Sequence, residues 1–273
     1  MTDAPARGPA LDLLTLVSMG VVAYGLANIT HEGLGHGGAC ALVGARSVAL
    51  STAYFECDTG GLSSSAPRWV DAAGALLNLA LGLLALALLR RAPRTSTPGR
   101  YFLWLLMTIN LMQGTGYWLY SGAADTGDWA TVIRDWEPHG LWRGALVLAG
   151  VVGYWGTVFL SLRELVPFLG TSSGRVGRAV ALSVIPYVVG GVLNILAGIF
   201  NPYGFLLVLI SSAPSSLGGT SGLTWMAQLL RNERLFPPSS ETPLSLPRSL
   251  PWLMGAAVMT AIFVVVLGRS VRF

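Results

Sequence analysis

Seven apolar stretches dominate the chain, at about residues 11–30, 69–90, 101–121, 143–163, 178–200, 204–230 and 250–268. Each approaches the roughly 20 residues that a helix needs to cross the ~30 Å hydrocarbon core of a bilayer. With no water there to receive backbone hydrogen bonds, such segments must satisfy their own polar groups, and the helix does so. Only 11% of the 273 residues are charged, against 53% hydrophobic, where soluble domains carry roughly 25% charge. A water-facing surface cannot be assembled from so few charges. The expected fold is an all-α polytopic membrane protein of six to seven transmembrane helices, one integral-membrane domain over residues 1–273, embedded in the lipid bilayer.

All 17 basic residues are arginine, giving a net charge of +4. They sit in the short loops between apolar segments, where they encode topology, and no basic stripe with interleaved aromatics points to nucleic acid. If the N-terminus is cytoplasmic and all seven stretches cross, eleven arginines lie inside: Arg7, Arg90, Arg91, Arg94, Arg100, Arg163, Arg175, Arg178, Arg231, Arg234 and Arg248. Six lie outside: Arg46, Arg68, Arg134, Arg143, Arg269 and Arg272. The bias favours a cytoplasmic N-terminus and an outer C-terminus. Arginine in place of every lysine hints at a GC-rich bacterial genome, so the expected location is the bacterial cytoplasmic (inner) membrane. The first apolar run has no small-residue cleavage site after it and reads as an uncleaved span. Cys40 and Cys57 form neither a framework nor a CxxC pair; they are expected as buried small residues rather than as a bridge.

Two connectors stand apart. Residues 45–62, ARSVALSTAYFECDTGGL, alternate, are rich in β-formers and stop at Gly-Gly, which predicts a short β-hairpin after the first helix. Residues 211–222, SSAPSSLGGTSG, place Pro214 and a run of small residues at membrane depth. A kinked helix packed through small residues is expected there.

Ionisable residues inside membrane segments are costly and tend to be functional. One cluster dominates: His31-Glu32-Gly33-Leu34-Gly35-His36, at the end of the first apolar run. Two of the chain's three histidines flank a glutamate there, which combines metal ligands with a base. In the HExxH motif the histidines stand four apart on one helix face and bind zinc, while the glutamate activates water. Here they stand five apart, about 140° round a regular α-helix, too far for one ion. A π-bulge would bring them onto one face, and Gly33 and Gly35 make that distortion inexpensive.

The segment HEGLGHGGACALVGARSVALSTAYFEC resembles the site-2 protease family of intramembrane zinc metalloproteases, as a divergent HExxxH variant. In that family a His-Glu helix with a small-residue tail precedes a short membrane-associated strand region. Further on, AAGALLNLALGLLALALL at 73–90 resembles the family's next helix: Gly74 and Asn78 match its Gly and Asn, and Ala75 stands where proline is usual. The resemblance implies that Asn78 positions substrate or orients the active site; as a residue it is a buried polar group in need of a partner. The family's third ligand is an aspartate in an Asp-Gly motif after an Asn-Leu helix start. Here Asn110-Leu111 leads to Asp125-Thr126-Gly127-Asp128-Trp129, with the motif inverted to Gly-Asp. Asp128 is the implied third ligand, Asp125 its substitute, and His139 a rival that coordination chemistry alone allows. Asp71 and Asp12 begin spans, where interfacial carboxylates are ordinary. NPYG at 201–204 superficially resembles a family Asn-Pro-Asp-Gly, with Tyr203 in place of the acid. The resemblance covers residues 16–130. It divides the chain into a protease-like core at 10–130 and additional transmembrane helices at 143–268.

The resemblance implies a membrane zinc metalloprotease or related hydrolase that cleaves membrane-embedded or membrane-adjacent peptides. His31, His36 and Asp128 would hold Zn²⁺, Glu32 would act as general base, and strands near 45–57 would offer an edge to substrate. The competing class is a non-catalytic scaffold or small transporter that keeps a degenerate protease fold. The spacing separates them: a regular helix through His31 carries no metal site.

Overall fold

The computed structural model describes residues 10–171 and 174–273; Arg7 lies outside them. Helix α1 (Leu13–Ile29) starts at Asp12, whose side chain accepts a hydrogen bond from Thr15 N at 2.9 Å and so caps one of the helix's free donors. It continues without a break through a π-helical segment, Thr30–His36, into α2 (Gly37–Leu42). Strands β1 (Arg46–Leu50) and β2 (Phe55–Asp58) form the expected antiparallel hairpin, with a bulge between Ser47 and Ala49. The long helices α3 (Ala66–Arg91) and α4 (Pro98–Ala124) follow, then the short α5 (Asp128–Ile133), α6 (His139–Leu165) and α7 (Arg175–Ile199). The run from residue 204 to 229 is broken into α8 (Gly204–Leu207), two π-helical pieces and α9 (Gly222–Leu229). The last helix, α10 (Leu250–Thr260), continues through π and 3₁₀ turns to Arg269, and β3 (Val271–Arg272) ends the chain.

Five helical stretches are long and apolar enough to cross a membrane: Leu13–Leu42, Ala66–Arg91, His139–Phe168, Arg175–Ile199 and Leu250–Arg269. Two of the seven expected spans differ in character. At 27 residues α4 is long enough, but it buries Asn110, Gln113 and Thr115 on its inner face, and the 204–229 run is π-helical through Pro214 to Gly218 and breaks at the turn over residues 219–221.

The two ends of the bundle are tied differently. At one end Leu11 bridges to Leu246, and Arg248 pairs with Asp12 at 2.9 Å. At the other, β3 pairs with β1, so the sheet order is β2-β1-β3 and the C-terminus reaches back to the hairpin. Asn201 closes this end by donating to Ser51 Oγ at 2.9 Å and to the Gly268 carbonyl at 3.1 Å. The main core fills the space among α1, α4, α6, α7 and α9 with residues such as Met19, Trp104, Met112 and Leu182, all fully buried.

The cysteine expectation is corrected. Cys40, in α2, and Cys57, in β2, form a disulfide with Cα atoms 6.0 Å apart. The pairing arises because the hairpin folds back on the helix that precedes it, a tertiary approach that a separation of 17 residues does not reveal.

Candidate metal centre

The His-Glu segment departs from α geometry where the spacing requires it. Through Thr30–His36 the helix is π, and its closing bond runs from Gly37 N–H to the Glu32 carbonyl, five residues back. Thr30 helps to open the ladder, since its hydroxyl donates to the carbonyls of Leu26 and Ala27 at 2.8 and 3.1 Å. The wider turn brings His31 and His36 onto one face, with Nε2 atoms 3.2 Å apart. Both are buried, as is Glu32 between them.

Glycine sets the approach of α3 to this face. A Cβ on Gly74 would stand 2.5 Å from His36 Nε2 and 2.7 Å from His31 Nε2, and one on Gly35 would stand 2.7 Å from Gly74 Cα. Only at this distance can α3 reach the ring nitrogens that point away from the centre. His31 Nδ1 meets Asn78 Oδ1 at 2.5 Å, and His36 Nδ1 meets the Val70 carbonyl at 2.7 Å. Both oxygens only accept, so each ring carries its proton on Nδ1 and presents a lone pair at Nε2. The amide of Asn78 is oriented in turn by Nδ2, which donates to Asn110 Oδ1 and Gln113 Oε1. Tyr117 of α4 stacks on the His31 ring, centroids 5.0 Å apart.

Asp128 completes the group. Asp125 ends α4 in the left-handed region (φ 54°) and Gly127 has φ 83°, so the chain reverses within three residues and returns Asp128 to the centre. The short α5 is anchored by Val132 and Ile133 against Ala72 of α3, with Trp129 packed over the same cluster. Asp128 Oδ2 lies 3.5 Å from both Nε2 atoms.

Three ligand atoms therefore face one point at mutual distances of 3.2 to 3.5 Å. Tetrahedral ligands about 2.0–2.1 Å from a zinc ion stand about 3.3–3.4 Å from one another. Two lone pairs and a carboxylate oxygen at this separation repel unless a cation lies among them. Asp128 Oδ2 and Glu32 Oε2 are also buried without a hydrogen-bond partner among the described residues. Distances, donor types and orphaned oxygens all fit a metal ion: His31, His36 and Asp128 form a group that can hold one.

The alternative ligands lie elsewhere. Asp125 pairs with His139 Nε2 at 3.1 Å and with Arg143 at 3.4 Å, and neither Asp125 nor His139 joins the three-residue group. Asp12 caps α1 at the opposite end of the bundle. Asn78 sits behind His31, oriented towards the ring. Tyr203 donates to Glu56 Oε1 at 3.3 Å on the hairpin.

A cavity of about 640 Å³ opens beside the centre. Glu32, His36 and Asp128 form one wall, and Asp71, assigned from sequence to an ordinary interfacial position, faces the same space. Tyr54 and Phe55 from the hairpin, and Trp155 and Trp225 from α6 and α9, line it further out. The last two are half-exposed on the outer face of the bundle, with ring centroids 5.7 Å apart. Sequence reasoning missed Tyr117 and Gln113. Their signal was present: Asn110, Gln113 and Tyr117 stand three and four residues apart, which places polar groups on one face of an otherwise apolar helix. Comparison with family models, with curated proteins and with solved structures returns no match for this chain.

Proposed function

We propose that the protein is an intramembrane zinc metalloprotease that cleaves membrane-embedded or membrane-adjacent peptides. The observation that carries this reading is the convergence of His31 Nε2, His36 Nε2 and Asp128 Oδ2 beside the buried, unpartnered carboxyl of Glu32. What zinc supplies in such a centre is Lewis acidity, which lets water lose its proton near neutral pH. His31, His36 and Asp128 would hold the ion. Asn78 and the Val70 carbonyl fix the two rings in the tautomer that coordinates. Glu32 takes the proton of the attacking water on Oε2 and returns it to the leaving amine, the two halves of general acid–base catalysis. Tyr54, Phe55, Trp155 and Trp225 give the cavity apolar walls that exclude bulk water and receive a hydrophobic peptide. Phe55 lines the cavity from β2, the edge strand of the sheet, so an extended substrate pairs its backbone with that edge.

The expected orientation follows from seven crossings, with α4 and the broken 204–229 run counted among them. The arginine-rich end, which holds Arg90, Arg163, Arg175 and Arg248, faces the cytoplasm. The metal centre and the Cys40–Cys57 disulfide then lie at the opposite, oxidising side, where a disulfide persists.

The test is Glu32→Gln, assayed on purified protein with a transmembrane peptide substrate. The substitution keeps the shape and removes the base, so hydrolysis is lost by a factor of at least about 10² while bound zinc stays at the wild-type level. Loss of zinc together with activity would instead make Glu32 a ligand or a structural anchor and overturn its role here.

A further inference from the structure

Six side-chain amides are buried among the described residues, and four of them join in one line that ends on His31. His31 Nδ1–H donates to Asn78 Oδ1 at 2.5 Å; Asn78 Nδ2 donates to Gln113 Oε1 at 3.1 Å; Gln113 Nε2 donates to Asn28 Oδ1 at 3.0 Å. Asn28 Nδ2 then donates to Asn194 Oδ1 at 2.5 Å, and Asn194 Nδ2 to the Gly190 carbonyl at 2.9 Å. The line passes through α3, α4, α1 and α7, and all four amides are at most 7% exposed. A shorter arm runs from Asn78 Nδ2 to Asn110 Oδ1 at 3.0 Å and from Asn110 Nδ2 to the Leu106 carbonyl at 2.8 Å.

The polarity of both arms is the same and has one cause. Each ends on a main-chain carbonyl, which accepts and cannot be reversed. That end fixes which way the last amide points, and each amide then fixes its neighbour, because a flipped one would set oxygen against oxygen and nitrogen against nitrogen. At the other end the outcome is forced: Asn78 presents its oxygen, and His31 must carry its proton on Nδ1. Polar groups that only glue helices together need satisfied partners; they need neither a common direction nor a ring nitrogen at one end.

We infer that Asn28, Gln113 and Asn194 are positioning residues that hold His31, through Asn78, in the tautomer whose Nε2 lone pair faces the metal position, with Asn110 as a parallel support. The inference rests on the reading of His31 as a ligand. It also makes α7, beyond the part of the chain that carries the family resemblance, a component of the centre.

The full-length protein, labelled with ¹⁵N in its histidine rings and stripped of metal, tests this directly. It has three histidines, so three ring systems are resolved by NMR and assigned with single His→Gln variants. His36, held by the Val70 carbonyl, and His139, remote from both arms, serve as internal controls. In the wild type His31 is expected as the Nδ1–H tautomer. In Asn110→Leu/Gln113→Leu, with both arms cut, its signals shift towards a mixture of tautomers while His36 and His139 stay in place, and Co²⁺ affinity read from visible absorption falls about a hundredfold. Gln113→Leu alone costs about tenfold, and Gln113→Glu, which when protonated offers the same acceptor and donor, restores most of it. If the double variant disturbs all three histidines, its fold has failed; Asn110→Leu/Asn194→Leu, cut at the far end, is then read in the same way. Unchanged His31 signals in a folded double variant, or identical behaviour of Asn110→Leu with and without the second substitution, overturn the inference. A wild type with the expected tautomer but no Co²⁺ binding would keep the amide line as what sets the His31 tautomer, and would remove both its link to a metal and the metalloprotease reading.

Discussion

Gly74 decides how near α3 comes to the two imidazoles, and so whether Asn78 and the Val70 carbonyl can reach them. A Cβ there would fall 2.5–2.7 Å from ring atoms of both histidines, and neither ring can retreat without losing its Nδ1 partner. Gly74→Ala is therefore expected to lower zinc affinity by at least about tenfold and to destabilise the fold by about 1–3 kcal/mol through overpacking. Zinc titration beside thermal unfolding checks both; wild-type affinity in the variant would mean that the rings are not held against α3. At this scale the site was largely legible. His31, Glu32 and His36 stand out because a His-Glu-His set in an apolar run has no inexpensive structural explanation. Asp128 and Asn78 were reached through the family resemblance. Gln113 and Tyr117 were missed although their spacing from Asn110 marks a polar face; Asn28 and Asn194 were not found, because a single polar residue in a helix becomes meaningful only when its partner on another helix is known.

Among the elements, the π-helical segment carries the most consequence. A π turn accommodates one residue more than the α-helix around it, and the exposed Leu34 lies inside the turn with its side chain facing outward. Deleting Leu34 sets His31 and His36 four residues apart, on one face of a regular helix, and is expected to keep zinc binding within about tenfold of wild type. Inserting an alanine after Leu34 sets them six apart, about 240° round an α-helix, and is expected to abolish binding. Equal zinc content in the two length variants would contradict the local geometry described here. The hairpin at 45–62 and the irregular helix around Pro214 were readable, since alternation and proline act locally. The third strand, Val271–Arg272, and the Cys40–Cys57 bridge were not, because both depend on segments that meet only in the folded bundle.

At the scale of the whole molecule, helical membrane class follows from composition, while the path of each segment does not. The proposed orientation, which counts seven crossings and divides the arginines eleven to six, sets the disulfide and the metal-bearing end on the same, oxidising side. With no free cysteine among the described residues, single cysteines introduced at exposed positions report the orientation. Ser64→Cys, at the metal-bearing end, is expected to react with a membrane-impermeant maleimide in intact cells, and Ser240→Cys, at the arginine-rich end, only after the membrane is opened. The reverse pattern would invert the proposed topology. The central claim, a single ion held by His31, His36 and Asp128, is tested most directly by the metal content of purified protein. One zinc per chain is expected in the wild type and in Asp125→Ala, with strong loss in Asp128→Ala and none bound in His31→Ala/His36→Ala. A wild type without bound metal after zinc loading, or full occupancy in the Asp128 variant with loss in His139→Ala, would contradict it.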